Sequence, residues 1–241
     1  MRIVSLAPSN TEILYKLGVE DQVVATTSLC NYPEGVSEKP SIGGWTNPEV
    51  DRINDLDPDL IIASDDLQDD AVNRLEEEGY NVLQVKPHTL EDVYESFWQI
   101  GEAVGKTEEA EKLVEEMKEE LSKVSFEGSP RIYCEEWMDP PMVSGNWMPD
   151  LIRKCNGEYF IEEGRSREFD LEELKEFDPE VIILNVCGAG SNLDPSIIDR
   201  RDSWQDISAV KNGNVFVVND SLLNRPSFRL VEGMRKIEGE V

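Results

Sequence analysis

Thr107-Glu-Glu-Ala-Glu-Lys-Leu-Val-Glu-Glu-Met-Lys-Glu-Glu-Leu-Ser-Lys-Val124 holds neither Gly nor Pro and is built from strong helix formers. Ala110, Leu113, Val114, Met117, Leu121 and Val124 recur at spacings of three and four, which makes one apolar stripe. Thr107 is a natural cap, and Glu108, Glu109 and Glu111 suit the positive end of the helix dipole. At about 1.5 Å per residue the helix is roughly 27 Å long, the width of a small domain.

Similar sequences flank it. Glu49 to Ile62 reads Glu-Val-Asp-Arg-Ile-Asn-Asp-Leu-Asp-Pro-Asp-Leu-Ile-Ile, and Asp170 to Ile183 reads Asp-Leu-Glu-Glu-Leu-Lys-Glu-Phe-Asp-Pro-Glu-Val-Ile-Ile. The offset is constant: 49 aligns with 170, 51 with 172, and Asp57-Pro58 with Asp178-Pro179. Each copy reads as a short helix, a proline stop and a buried strand. Arg2-Ile3-Val4 is echoed by Arg131-Ile132-Tyr133. The expected architecture is α/β: two Rossmann-like lobes with parallel sheets, joined by a single long helix. The first lobe is expected over residues 1–104, the linking segment over 105–127 and the second lobe over 128–241. Strands alternating with helices imply parallel pairing, and ligands then sit beyond the carboxyl ends of the strands.

Composition narrows the function classes. The formal net charge is −28, with 23 basic against 51 acidic residues, which argues against nucleic acid or an anionic membrane surface as a partner. No apolar run approaches the roughly 18 residues of a membrane span. Cys30, Cys134, Cys155 and Cys187 lack C-x-x-C spacing, which excludes a zinc ribbon or thioredoxin motif. Cys134 reads as a buried hydrophobe. Cys30 and Cys187 fall in loops, where joint metal ligation is the alternative to two free thiols. His88, the lone histidine, reads as a loop residue, with haem ligation as its alternative.

There is no G-x-S-x-G, no P-loop and no dinucleotide fingerprint, and no acid pair stands out in so acidic a chain. The reading is therefore a binding protein, neither an enzyme nor the holder of a catalytic cofactor or metal. What stands out is aromatic and loop-borne: Tyr32, Trp45, Trp137 and Trp147, with Met142 beside them. Ser9 or Asn10 can cap the first helix, whose amides then face the same loops.

Several stretches resemble the substrate-binding proteins of ABC importers for cobalamin, ferric siderophores and haem. They are Arg2 to Glu12, Tyr32-Pro33, Gly43-Gly-Trp-Thr-Asn-Pro48, Leu56 to Ile61, Asp139-Pro-Pro141 with Ser144-Gly145, Asp178 to Ile182, and Arg225-Pro-Ser227. The resemblance is closest to the cobalamin-binding, BtuF-like branch. It implies a corrinoid ligand, with Tyr32 and Trp45 matching the family's ligand-facing aromatics; Trp137, Met142 and Trp147, with Asn10 and Arg225, complete the expected ligand-binding set. It also implies a monomer that docks on an importer permease through one acid per lobe, Asp51 and Glu172. Met1-Arg2 runs straight into a strand. The expectation is therefore an extracytoplasmic importer receptor if a leader has been removed. The alternatives are a cytoplasmic corrinoid- or tetrapyrrole-handling protein or enzyme if Met1 is the native start, or a ferric-siderophore or haem receptor on the same fold.

Overall fold

The computed structural model describes residues 1–241. It divides into two compact units, Met1–Pro87 with Glu91–Glu116, and His88–Leu90 with Met117–Val241.

In the first unit, β1 (Ile3–Ser5), α1 (Pro8–Lys16), β2 (Val23–Thr26), α2 (Val50–Leu56), β3 (Leu60–Ser64), α3 (Asp69–Glu77) and β4 (Val82–Val85) follow in order. The sheet runs β2-β1-β3-β4 with every pair parallel. β1 and β3 are buried on both faces, as parallel strands covered by helices must be. Val4, Leu6, Ala25, Ile42, Ile53, Ile61 and Leu75 form the core beneath α2 and α3.

α4 (Leu90–Ala103) ends at Gly105, whose φ of 70° places it in the left-handed region. Lys106 N–H donates to the Gly101 carbonyl and Gly105 N–H to that of Glu102, the double bond of a glycine-terminated helix. A β-carbon at Gly101 would stand 2.4 Å from Cβ of Ala110, so α4 and the next helix meet at their smallest residues. That helix is α5 (Thr107–Leu121), and the unit boundary falls inside it. All six residues of its expected stripe are buried.

The second unit continues with β5 (Arg131–Met138), β6 (Pro141–Val143), α6 (Met148–Lys154), β7 (Glu158–Tyr159), β8 (Arg167–Glu168), α7 (Leu171–Phe177) and β9 (Val181–Leu184). It closes with α8 (Ser208–Asn212), β10 (Val215–Val217), α9 (Asp220–Leu223) and α10 (Leu230–Glu238). β10, β9, β5 and β7 pair in parallel. The expectation of a wholly parallel sheet is corrected here: β6 is antiparallel to β5, and β8 to β6. Trp137 and Met142, expected on a loop, lie in a hairpin of β5 and β6. β5 runs on to Met138, and the turn passes through a cis Asp139–Pro140 peptide. Beneath the sheet, Tyr133 meets Phe160, Phe169 and Trp204 edge-on, with centroids 5.4–5.9 Å apart.

The two repeat copies fold alike. Asp57 and Asp178 end α2 and α7 in the left-handed region, at φ 44° and 47°, and a proline and a buried strand follow each. Asp59 N–H donates to the Arg2 carbonyl, and Arg2 N–H returns to the Asp59 carboxylate at 2.6 Å. Glu180 and Arg131 exchange the same pair of bonds in the second unit.

Candidate functional site

In a parallel sheet the segments after each strand share one edge. The helix leading into a strand runs antiparallel to it, so its first turn reaches that edge too. Each unit builds a rim this way.

In the first unit the rim is made after β1, β2 and β3. Tyr32 is on the segment after β2 and is 38 % exposed. Trp45 is half-buried at the tip of a loop whose base is pinned to β2. Ile42 N–H donates to the Thr26 carbonyl, Ser28 N–H to that of Gly43, and Glu49 N–H to that of Ile42. Gly43 has a φ of 97°, and a β-carbon there would stand 3.2 Å from the Asn47 carbonyl oxygen and the Glu49 nitrogen, so this turn favours glycine at 43. Leu29 and Leu67 are more than half exposed on the same rim, at 53 % and 59 %. Sequence reasoning missed both, because a single leucine in a polar loop carries no pattern.

Asn10 is corrected. It is expected as a cap of the first helix, yet α1 begins at Pro8 with Ala7 as its cap, and Asn10 lies within the helix, buried. A proline at the first helical position starts the helix early. Asn10 Nδ2 donates to the Ile62 carbonyl at 3.3 Å, and its Oδ1 has no hydrogen-bond partner. Cys30 is buried, its sulfur 3.2 Å from the Thr11 hydroxyl and 3.3 Å from that of Thr27.

In the second unit Trp137, 49 % exposed near the tip of β5, pairs across the hairpin with Met142. The structure thus brings these two expected site residues together. Trp147 is corrected. It is only 6 % exposed, it caps α6, and its indole N–H donates to the Leu223 carbonyl at 2.8 Å. Its polar atom is satisfied inside the unit and its ring is almost wholly covered, as in a packing residue. Arg225 is half-buried just after α9.

Beneath the hairpin lies an ion pair that the sequence did not reveal. Glu135 is fully buried and accepts from both Arg201 Nη1 (2.6 Å) and Nη2 (2.8 Å), while Tyr133 adds its hydroxyl at 2.9 Å. Arg201 also donates to the Met138 carbonyl at 3.1 Å and lies over the Trp204 ring, 4.5 Å from its centroid. Burial pushes the Glu135 carboxyl up and Arg201 pulls it back, leaving it above the ordinary glutamate value. Alongside, Asn185 donates to Ser144 Oγ at 2.9 Å and to Asn224 Oδ1 at 2.6 Å. Asn224 returns a bond to the Asn185 carbonyl and another to the Cys187 sulfur.

Asp51 and Glu172 occupy equivalent first-turn positions on α2 and α7, and both are exposed. Lys175 reaches Glu172 at 2.8 Å, a surface pair of little strength. His88 is half-buried in a loop, and no group of three or more His, Cys, Asp or Glu side chains is arranged to hold a metal ion. An open concavity of about 580 Å³ lies between α7 and the 160–167 segment, apart from Trp137 and Met142. Glu162, Glu163, Glu173 and Glu176 line it with one cation, Arg167, so its field opposes an anionic ligand.

A family model described as periplasmic binding protein matches residues 3–222. An uncharacterized ABC transporter substrate-binding lipoprotein of Bacillus subtilis, YvrC, is 30 % identical over 98 % of this chain and 78 % of its own length. The vitamin B12-binding protein of Vibrio campbellii is 24 % identical over 98 % and 87 %. Among solved structures, the apo heme-binding protein RhuT of Roseiflexus sp. RS-1 superposes with a TM-score of 0.84. It is 20 % identical, with 99 % of this chain and 97 % of that one covered, a likeness of fold alone. With its α/β units and a family match over nearly its whole length, the chain belongs to the periplasmic binding protein family.

Proposed function

We propose that this chain is the substrate-binding protein of an ABC importer and that its substrate is a corrinoid of the cobalamin type. One observation carries the reading. Apart from the chain ends Met1 and Val241, every large hydrophobic residue that stands exposed is on a strand-end rim: Leu29, Tyr32 and Leu67 in the first unit, Trp137 in the second. Exposed apolar groups at the strand-end edge of each unit mark binding surfaces, and a corrinoid ring offers broad apolar faces to cover them. The B12-binding relatives support the corrinoid over other cargo. On this reading Tyr32, Trp45, Trp137 and Met142 meet the ring, and Arg225 is a donor to its amide side chains.

Asp51 and Glu172 would meet arginines of the permease, since charge-assisted pairs of that kind give orientation and on-rate. The protein then works outside the cytoplasmic membrane as a monomeric carrier, without catalysis. Haem is the second reading, favoured by the RhuT-like fold.

The deciding measurement is the absorbance of protein recovered after desalting from cyanocobalamin, haemin or a ferric hydroxamate siderophore. Retention of cyanocobalamin is expected. Retention of haemin or siderophore alone would replace the corrinoid, and retention of none would remove the tetrapyrrole reading.

A further inference from the structure

Gln68 lies in one of the most acidic stretches of the chain, Asp65-Asp-Leu-Gln-Asp-Asp70, and follows the most exposed leucine of the first unit, yet it is fully buried. It closes a short 3-10 turn, Asp66–Gln68, between β3 and α3. Its carboxamide is given over to main-chain groups. Nε2 donates to the Leu6 carbonyl at 2.9 Å and to the Trp45 carbonyl at 2.5 Å. Oε1 accepts from Ser64 N–H at 2.6 Å. Three separate segments of the rim, after β1, before α2 and at the end of β3, thus meet on one side chain.

We propose that Gln68 is a positioning residue for ligand capture, holding the Trp45 backbone so that the ring is set on the rim before ligand arrives. The inference rests on the reading that Trp45 meets the ligand. The base of the Trp45 loop is fixed by the turn at Gly43 and by bonds to β2, but these stop at Gly43 and resume at Pro48 and Glu49. Gln68 holds the tip between them. An amide suits the position because it offers two donors and one acceptor on one rigid plane. A carboxylate would turn an acceptor toward two carbonyl oxygens. A thioether would leave two carbonyls and an amide without their bonds in a buried place. A ring set in advance spares binding the cost of ordering it, so the effect belongs to affinity beyond stability.

A double-mutant cycle on cyanocobalamin affinity tests this. Gln68→Met should weaken binding about tenfold, the factor that 1.4 kcal/mol represents. In a Trp45→Ala background the same change should cost less than about twofold, since the residue it positions is gone. Equal losses in both backgrounds, or none in either, would overturn the proposal. If Gln68→Met does not fold, Gln68→Glu replaces it in the cycle. If the unaltered protein retains no cyanocobalamin, the ligand reading has failed on its own. Hydrogen exchange of residues 41–49 then decides the inference: Gln68→Met should speed exchange at the tip, and unchanged exchange would overturn it.

Discussion

The carboxylate of Asp178 closes on Ser208 from two sides: Oδ1 accepts the Ser208 amide at 2.8 Å and Oδ2 its hydroxyl at 2.7 Å. Asp178 is the repeat residue that ends α7, and through Ser208 it also caps the start of α8, 30 residues away. The amide and hydroxyl of Ser208 hold its carboxyl below the usual aspartate range. A depressed folded value means stability that is complete above the unfolded value, near pH 4, and that fades as pH falls through the folded one. Asp178→Asn keeps a residue that tolerates positive φ and removes only the charge. It should cost roughly 0.5–1 kcal/mol at neutral pH, in the range of a helix cap. Melting curves from pH 7 downward should show the gap to the parent protein closing only below about pH 4. A gap that stays constant to pH 2 would rule out the carboxylate as its source.

Arg201→Met should be far more damaging. It strands Glu135, fully buried, with only the Tyr133 hydroxyl for company. Removing one partner of a buried pair costs about 3–5 kcal/mol. Adding Glu135→Gln to Arg201→Met should recover part of that loss, as read from denaturant midpoints. No recovery would mean that Arg201 acts through its stacking on Trp204 and not through charge.

Trp137 and Trp147 should separate cleanly. Trp137→Ala removes a half-exposed ring and should weaken cyanocobalamin binding by about 2 kcal/mol, roughly thirtyfold, with little change in Tm. Trp147→Ala opens a cavity and unpairs the Leu223 carbonyl, at a cost of about 3–5 kcal/mol of stability. The reverse pattern, stability lost at Trp137 and affinity lost at Trp147, would contradict the packing described above.

Charge reversal at both Asp51 and Glu172 should abolish capture by the importer permease while ligand affinity is unchanged. Surface plasmon resonance against solubilised permease and a ligand titration on the same variant give both numbers. Undiminished capture would remove these two acids from the docking surface.

How far the chain could be read depended on how local each signal is. The repeat is legible because helix, left-handed aspartate, proline and strand are consecutive in sequence, and α5 because its stripe keeps one period over its whole length. The β5–β6 hairpin was hidden: Asp139-Pro140-Pro141 is no standard two-residue turn, and Trp, Met and Pro in succession resemble a sticky loop. Trp147 was misread because its partner, Leu223, is 76 residues away. Gln68 is silent for the same reason, since nothing local marks a glutamine that serves Leu6 and Trp45. The Glu135–Arg201 pair spans 66 residues and is equally invisible in one dimension.

The repeat also bears on the partner. Asp51 and Glu172 hold the same place in two copies of one folded motif, each anchored by its own arginine at the start of a strand. Because the two copies fold alike, a surface that fits one fits the other. On the proposed reading, the membrane partner should therefore present its arginines twice, as two like subunits or two like halves.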